Sequence, residues 1–236
     1  MRQTHQLEQS NAEKDKLMSI ISHDMRTPLI SILNYLELLN ENELDPLQRP
    51  VLEKDLLAAT NGAMEMLTNL LQWSRSQMEG TAVKLVELNL LSAIKSTLEM
   101  GKTEAEKKGI AFNCNIGPEI AVIADKDMLQ LVVRNLVSNA IKFTPHGGTI
   151  NIDAQLTPHE CKITISDNGK GIDPQKQEKI FSINTEPAFG TANEKGVGLG
   201  LLLCKEFIER QGGRIGFESV FGKGSSFFIY IPLVGS

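Results

Sequence analysis

The sequence Ser22-His23-Asp24-Met25-Arg26-Thr27-Pro28-Leu29 lies inside a long stretch with helical periodicity. On both sides of it, apolar residues recur at steps of three and four, which predicts one helix over residues 6–40 with a single apolar stripe. The stripe comprises Leu17, Ile21, Met25, Leu29, Ile32, Leu36 and Leu39. His23 is two residues from the stripe on each side, so its ring should face away from it. Pro28 cannot donate to the carbonyl of Asp24, which predicts a kink one turn after His23.

The same stretch contains the first candidate catalytic group. A neutral imidazole such as that of His23 is a nucleophile near pH 7. Asp24 is placed to hold the ring or to take up its proton. Thr27 shares a helical face with His23, and its hydroxyl could orient a water molecule near a modified ring. An exposed histidine beside an aspartate is also common on ordinary helix surfaces, so this stretch alone leaves both interpretations open.

The composition is that of an ordinary globular protein of one or two domains, with 236 residues, 41% of them hydrophobic and 22% charged. A net charge of −5 gives no support for nucleic-acid binding. Cys114, Cys161 and Cys204 are widely spaced, which indicates a reducing compartment and no metal site. No apolar run reaches the roughly 18 residues that span a bilayer. We therefore expect a cytoplasmic segment without membrane contact of its own, compatible with an inner-membrane anchor elsewhere in the full-length protein.

A helical hairpin is predicted for residues 1–80. After a polar turn at residues 40–46, a second helix is predicted from Pro50 to Gln77, with apolar residues in heptad spacing. One hairpin cannot bury both apolar stripes well, whereas two hairpins in a symmetric homodimer make a four-helix bundle. The alternative is a monomer in which the hairpin packs on the second domain.

Residues 81–236 alternate between strand and helix patterns. Adjacent strand pairs with separate helices predict an α/β sandwich, a mixed sheet with helices on one face. The predicted strands are Val83–Glu87, Ile110–Asn115, Ile120–Ile123, Thr149–Leu156, Glu160–Ser166, Arg214–Glu218 and Ser225–Ile231, and the predicted helices are Leu90–Lys108, Asp127–Phe143 and Gly200–Gln211.

Three polar patches in this second domain are candidate binding residues. Asn135, Asn139 and Lys142 share one face of a predicted helix, where an amide oxygen suits Mg²⁺ and a lysine suits phosphate. A plain solvated face is the alternative.

Residues 167–172, Asp-Asn-Gly-Lys-Gly-Ile, follow a strand directly. There an aspartate can accept from an exocyclic amine such as that of adenine, although a simple glycine-rich turn would look similar.

A glycine-rich segment, residues 190–201, leads into the helix predicted from Gly200. Such a segment before a helix N-terminus offers free N–H groups and a favourable dipole to phosphate. Its spacing is neither that of the P-loop nor that of the Rossmann fingerprint.

The order of these patches behind a helical hairpin with His-Asp-x-x-Thr-Pro-Leu resembles a bacterial sensor histidine kinase over nearly the whole chain. The resemblance implies a dimerisation and histidine-phosphotransfer hairpin followed by an ATP-binding domain of the histidine kinase, gyrase and chaperone superfamily. It implies ATP and Mg²⁺ as ligands, and a homodimer and a response-regulator receiver domain as partners. It further implies that His23 accepts the phosphoryl group, that Asp24 is its acid/base partner and that Thr27 assists dephosphorylation of the partner.

The resemblance also assigns roles in the second domain. Asn139 carries Mg²⁺, with Asn135 and Lys142 near the phosphates. Asp167 binds adenine, with Gly169 and Gly171 around it and Ser225 near the base. The lid hinges at Gly196, Gly198 and Gly200.

Two departures from the family pattern concern the lid. Asn184 stands where the family often has a second aromatic residue, and Lys195 is the first basic residue after Ser182. Lys142 and Lys195 are therefore the candidates to neutralise the γ-phosphate. Two alternatives remain open, a gyrase- or chaperone-type ATPase and a degenerate kinase that acts as a phosphatase or scaffold.

Overall fold

The computed structural model describes residues 25–26, 28–40, 49–78, 83–182, 190–191 and 200–233. The chain divides into two compact units, Met1–Glu79 and Gly80–Ser236. Among the described helices, none is both long enough and apolar enough to cross a membrane.

Within its described residues, the first unit contains helix α1 (residues 28–40) and helix α2 (Arg49–Met78), and residues 25–26 are also helical. Helix α2 extends one residue beyond the predicted range at each end. The two helices meet at Tyr35, which is buried and donates from its hydroxyl to Glu53 Oε1 at 3.2 Å. Arg49 Nε donates to the same oxygen at 2.9 Å. Large apolar side chains of both helices nevertheless remain about half exposed, namely Leu29, Ile30, Leu33, Leu36, Val51, Leu57, Met64 and Leu71.

The second unit is built on a mixed five-stranded sheet in the order β2-β4-β5-β7-β6. Its strands are β2 (Ala111–Asn115), β4 (Thr149–Leu156), β5 (Glu160–Asp167), β6 (Arg214–Val220) and β7 (Gly224–Pro232). Strand β2 pairs parallel with β4, and the other three pairs are antiparallel. Alternate residues of β5 and β7, such as Ile163 and Ile229, are fully buried on one face. The mixed sheet of the predicted α/β sandwich is confirmed.

A smaller sheet pairs β1 (Val86–Asn89) with β3 (Ala121–Ala124) in antiparallel register. Helix α3 (Leu90–Lys107) lies between them in sequence, and Asn89 caps it by accepting from the backbone N–H of Ser92 at 2.9 Å. A single bridge from Val122 to Leu233 connects this small sheet to the end of the chain segment that forms β7. The predicted strand Val83–Glu87 was placed too early, because pairing with β3 begins only at Val86.

Helix α4 (Lys126–Phe143) is at the centre of the unit and is flanked by α3 and α6 (Gly200–Arg210). It is buried on most sides, as residues Leu129, Leu131, Val132, Val133, Leu136 and Val137 show. A short helix, α5 (Pro174–Gln177), was not predicted, since it is only one turn long and has no apolar periodicity to detect. Asp173 caps it by accepting from the backbone N–H of Gln175 at 2.9 Å.

Candidate functional site

Three polar residues form a row across one end of the large sheet. Asp167 ends β5 and pairs with Ser225 of β7, and Ser225 pairs with Ser219 of β6. Cross-strand partners project from the same face of a sheet. Asp167 and Ser225 continue the alternation of Ile165 and Phe227, which are buried. The row therefore lies on the inner face of the sheet, towards the helices.

Asp167 is the charged member of this row. Its Oδ1 accepts from the backbone N–H of Gly169 at 2.9 Å. The backbone N–H of Ser225 also donates to its carboxyl, and both bonds favour the ionised form. Burial has the larger effect, however, and raises the pKa of Asp167 above its ordinary value. A carboxylate that is short of water in this way gains from a ligand that donates hydrogen bonds to it.

The backbone after Asp167 packs closely against α4 and the β6–β7 turn. A Cβ at Gly169 would lie 2.2 Å from the carbonyl oxygen of Phe143, the last residue of α4. Gly171 has a φ of +66°, and a Cβ there would lie 2.2 Å from the carbonyl oxygen of Val220. Both positions therefore require glycine, and the loop after Asp167 packs tightly against Phe143 and Val220.

The three predicted polar residues of α4 do not form a solvated face. Asn135 is buried, and its Nδ2 donates to the carbonyl of Leu131 at 3.2 Å. Its Oδ1 faces the first residue of α6, since a Cβ at Gly200 would lie 3.1 Å from that oxygen. The alternative of a plain solvated face is therefore wrong for Asn135, because α6 packs on that side of α4. Asn139 and Lys142 are both half-buried.

The structure thus brings two predicted patches together at Asn135 and Gly200, and it places Ser225 beside Asp167 of the third patch. Asn139 lies one helical turn beyond Asn135 on the same side of α4. No hydrogen bond engages the Asn139 amide within the part of the chain that the structure describes. Its oxygen is therefore available to a ligand.

The last carbonyl groups of α4 and the carbonyl of the next residue, Thr144, are bonded from two separate segments of the chain. Lys108 Nζ donates to the carbonyls of Ile141 and Lys142 at 2.9 and 3.0 Å. Thr191 donates from its backbone N–H to the Lys142 carbonyl at 2.9 Å. The Thr191 hydroxyl lies 3.1 Å from that oxygen and 3.0 Å from the Thr144 carbonyl. These bonds fix the end of the helix that carries Asn139 and Lys142.

Sequence reasoning missed Lys108, Thr191 and Ser219 as supporting residues. Thr191 lay inside the glycine-rich segment that had been singled out, but its role depends on carbonyls that are 47 to 49 residues away in sequence. No local pattern signals such contacts.

The described residues contain no group of three or more His, Cys, Asp or Glu side chains that could hold a metal ion. A metal bound here would therefore rely on few protein ligands. Mg²⁺ fits that condition, because it retains several waters and is held by one or two oxygen ligands together with phosphate groups. The Asn139 oxygen meets the requirement for such a ligand.

Several predicted site residues lie outside the described residues. These are His23, Asp24 and Thr27 in the first unit, and Lys195, Gly196 and Gly198 in the second. Asn184, one of the two departures in the lid, also lies outside them.

Two family models match this chain. Residues 13–79 match the His Kinase A phospho-acceptor domain, and residues 124–235 match the histidine kinase-, DNA gyrase B- and HSP90-like ATPase family. The chain is 30% identical over 226 residues to the adaptive-response sensory kinase SasA of Synechococcus sp. (strain JA-3-3Ab). That match covers 93% of this chain and 59% of SasA, so the chain spans just over half the length of this relative.

Solved structures show the same likeness. The catalytic domain of the histidine kinase ThkA, in a nucleotide-free form, is 29% identical with a TM-score of 0.56, over 64% of this chain and 96% of that one. The structure of ThkA in complex with the response regulator protein TrrA has a TM-score of 0.76 at 24% identity, over 96% of this chain and 64% of that one. The second match supports the fold.

Proposed function

Because the chain belongs to the bacterial sensor histidine kinases, we propose that it is an ATP-dependent protein-histidine kinase of a two-component system. Its first unit, residues 1–80, serves as the dimerisation and phosphotransfer hairpin, and residues 81–236 serve as the ATP-binding domain. One observation carries the proposal. The polar row of Asp167, Ser225 and Ser219 lies next to the C-terminal end of α4. The two are joined where Gly169 packs against the carbonyl oxygen of Phe143.

The second unit binds ATP in this proposal. Asp167 accepts from the exocyclic amine of adenine, and Gly169 and Gly171 let the loop around it pack closely on Phe143 and Val220. Ser225 lies beside Asp167 near the base. The half-buried carboxylate supports this role, since an amine donor offsets the desolvation that raises its pKa.

The phosphates lie along α4 and the N-terminus of α6. Asn135 and Gly200 line this side, Lys142 supplies a positive charge, and Asn139 supplies the oxygen ligand for Mg²⁺. Bound there, Mg²⁺ would neutralise charge on the phosphate oxygens. Lys195 and the glycines Gly196, Gly198 and Gly200 form the lid in this proposal.

His23 receives the phosphoryl group. One ring nitrogen forms a bond to the γ-phosphorus, the bond from that phosphorus to the bridging oxygen breaks, and ADP leaves with the electron pair. Asp24 takes the proton released from the ring, so that the phosphohistidine forms near neutral pH. Catalysis is mostly positioning and charge neutralisation, as is general for phosphoryl transfer.

The phosphoryl group then passes to an aspartate on a response-regulator receiver domain, and Thr27 assists hydrolysis of the phosphorylated partner. ThkA has been crystallised with its response regulator TrrA, which supports this partner class.

The hairpin forms a homodimer in this proposal. Eight large apolar residues of α1 and α2 are about half exposed in a single chain. A second hairpin would cover them in a four-helix bundle. We further propose that this segment acts in the cytoplasm, where ATP is available and where Cys114, Cys161 and Cys204 would remain thiols.

Incubation with ATP labelled at the γ-phosphate tests the proposal. The chain should acquire label that acid removes and that base largely leaves, as expected for a phosphoramidate. His23→Gln should acquire none. His5→Gln is the matched control and should label normally. Acid-stable label, or label on His23→Gln, would refute the assignment of His23.

A second experiment distinguishes the kinase from a gyrase- or chaperone-type ATPase. The kinase should accumulate phosphoenzyme, whereas the alternative should release phosphate steadily without one.

Mixing His23→Gln chains with Asn139→Asp chains tests the dimer. Label in the mixture, absent from either variant alone, means transfer between subunits.

A further inference from the structure

Ser219 of β6 connects three segments around the polar row. Its hydroxyl oxygen accepts from the backbone N–H of Ile172, in the loop after Asp167, at 2.8 Å. The same hydroxyl donates to the carbonyl of Gly224 at 3.0 Å. Its oxygen also lies 2.9 Å from the hydroxyl oxygen of Ser225.

The number of hydroxyl hydrogens determines which serine donates the hydrogen bond between Ser219 and Ser225. A hydroxyl has one hydrogen to donate and two lone pairs that accept. The hydrogen of Ser219 is used by Gly224, and one lone pair is used by Ile172. The remaining lone pair accepts, so the hydrogen between the two serines belongs to Ser225.

The Ser225 hydroxyl is therefore held with its hydrogen towards Ser219 and its lone pairs away from it. Ser225 is only 8% exposed, so bulk water does not compete freely for that hydrogen. Asp167, the neighbour of Ser225 on the other side, accepts hydrogen bonds through its carboxylate. The Asp167 carboxylate and the Ser225 hydroxyl, which are adjacent in the row, therefore both present hydrogen-bond acceptors to a ligand.

We propose that Ser219 is a positioning residue that sets base specificity, because it holds the Ser225 hydroxyl in the orientation that accepts. The inference rests on the proposed function, in that it takes Asp167 and Ser225 as the groups beside the base. An edge with an exocyclic amine, as in adenine, donates to such a pair. An edge with a carbonyl at the same place, as in hypoxanthine, meets acceptors only and leaves buried groups unpaired.

Inosine triphosphate is the probe, since its base carries a carbonyl where adenine carries the amine. Calorimetric titration of the whole chain should show tighter binding of ATP than of inosine triphosphate. Ser219→Ala releases the Ser225 hydroxyl, which can then turn and donate to the carbonyl. The ratio of the two dissociation constants should fall by about tenfold in this variant.

A double-mutant cycle shows whether the effect passes through Ser225. In a Ser225→Ala background, Ser219→Ala should change the ratio by less than about twofold. Ser219→Thr keeps a hydroxyl and should keep the wild-type ratio. Ser166→Ala is the matched control on the outer face of β5 and should also keep it. Ser219→Cys fills the same space with a poor acceptor and should act like Ser219→Ala if the alanine variant does not fold.

The outcomes separate this inference from the function on which it rests. If the wild type binds ATP selectively but Ser219→Ala and Ser219→Cys leave the ratio unchanged, the inference is wrong and the proposed function stands. An equal change of the ratio in both Ser225 backgrounds also overturns the inference. If the wild type binds neither nucleotide, the proposed function fails and the inference fails with it.

Discussion

Replacing Gly171 by alanine measures the cost of one close backbone contact at the edge of the candidate site. Gly171 has a φ of +66°, and its Cβ would lie 2.2 Å from the carbonyl oxygen of Val220. Gly212 provides a matched control, since it has a φ of +77° but no atom within 4 Å of a Cβ. Both substitutions carry the penalty of a left-handed alanine, about 1 kcal/mol. Only Gly171→Ala also forces two backbone segments apart.

The magnitude follows from the distances. Ordinary van der Waals contact with a Cβ begins at 3.4 Å, so the β6–β7 turn must move by about 1 Å to admit the methyl group of Gly171→Ala. Overpacking of this kind costs roughly 1–3 kcal/mol. Together with the backbone penalty, the free energy of unfolding should fall by about 2–4 kcal/mol. Gly212→Ala should lose only about 1 kcal/mol.

The same displacement should reach the proposed nucleotide site, because the next residue, Ile172, donates to Ser219. We expect Gly171→Ala to bind ATP at least about tenfold more weakly than the wild type, and Gly212→Ala to bind normally.

Urea unfolding of the whole chain, followed by far-UV circular dichroism, gives the stabilities at a common m-value. Isothermal titration gives the affinities. Equal losses of stability in the two variants would show that the close contact with Val220 contributes nothing, and an unchanged affinity in Gly171→Ala would refute the link to the site.

Asp167→Asn should remove a pH dependence of stability. Burial raises the folded pKa of this carboxyl above its unfolded value, so the folded state binds more protons and the wild type loses stability as pH rises through that interval. Urea unfolding between about pH 4 and pH 7 should show that loss for the wild type relative to the variant, and the opposite slope would contradict it. Thr191→Val should weaken ATP binding by roughly two- to tenfold, because the carbonyls of Lys142 and Thr144 lose the contact with its hydroxyl, whereas Thr191→Ser should not; equal titrations for both variants would exclude this role. Lys108→Met should lower the free energy of unfolding by about 1–2 kcal/mol in calorimetry, because two C-terminal carbonyls lose a charged donor, and an unchanged transition would show that the cap is dispensable. Leu57→Glu places a charge at a side chain that is 62% exposed in one hairpin. It should convert a dimer into a monomer in sedimentation experiments, and a monomeric wild type would contradict the bundle.

Hydrophobic periodicity was sufficient to predict the helices and strands whose ends are set by neighbouring residues in the sequence. Helix α4 was predicted from Asp127 and begins at Lys126, because Asp125 caps it through the backbone N–H groups of Asp127 and Met128. Strand β4 matches its predicted range, since turn residues bound it on both sides.

Elements that depend on distant partners were harder to predict. The alternation around Val83 indicated a strand, but only Val86–Asn89 finds a partner in β3, and Leu85 remains 46% exposed. The polar face of α4 predicted for Asn135 left open whether its side chain is solvated or faces a binding site. Its burial is decided by α6, which begins 65 residues later, and no spacing rule within α4 contains that information. Ser219 was missed for the same reason, since its significance arises from three segments that converge on one hydroxyl.

The bridge between Val122 and Leu233 has a consequence for modularity. Val122 pairs with Leu88 near the start of the second unit, while Leu233 lies at the end of that unit. The chain therefore enters and leaves this unit on the same side, a few strand widths apart. A domain whose termini are neighbours can be inserted into another protein. It can also be circularly permuted, by joining its termini and opening the chain at a distant hairpin, without a change in how its strands pack.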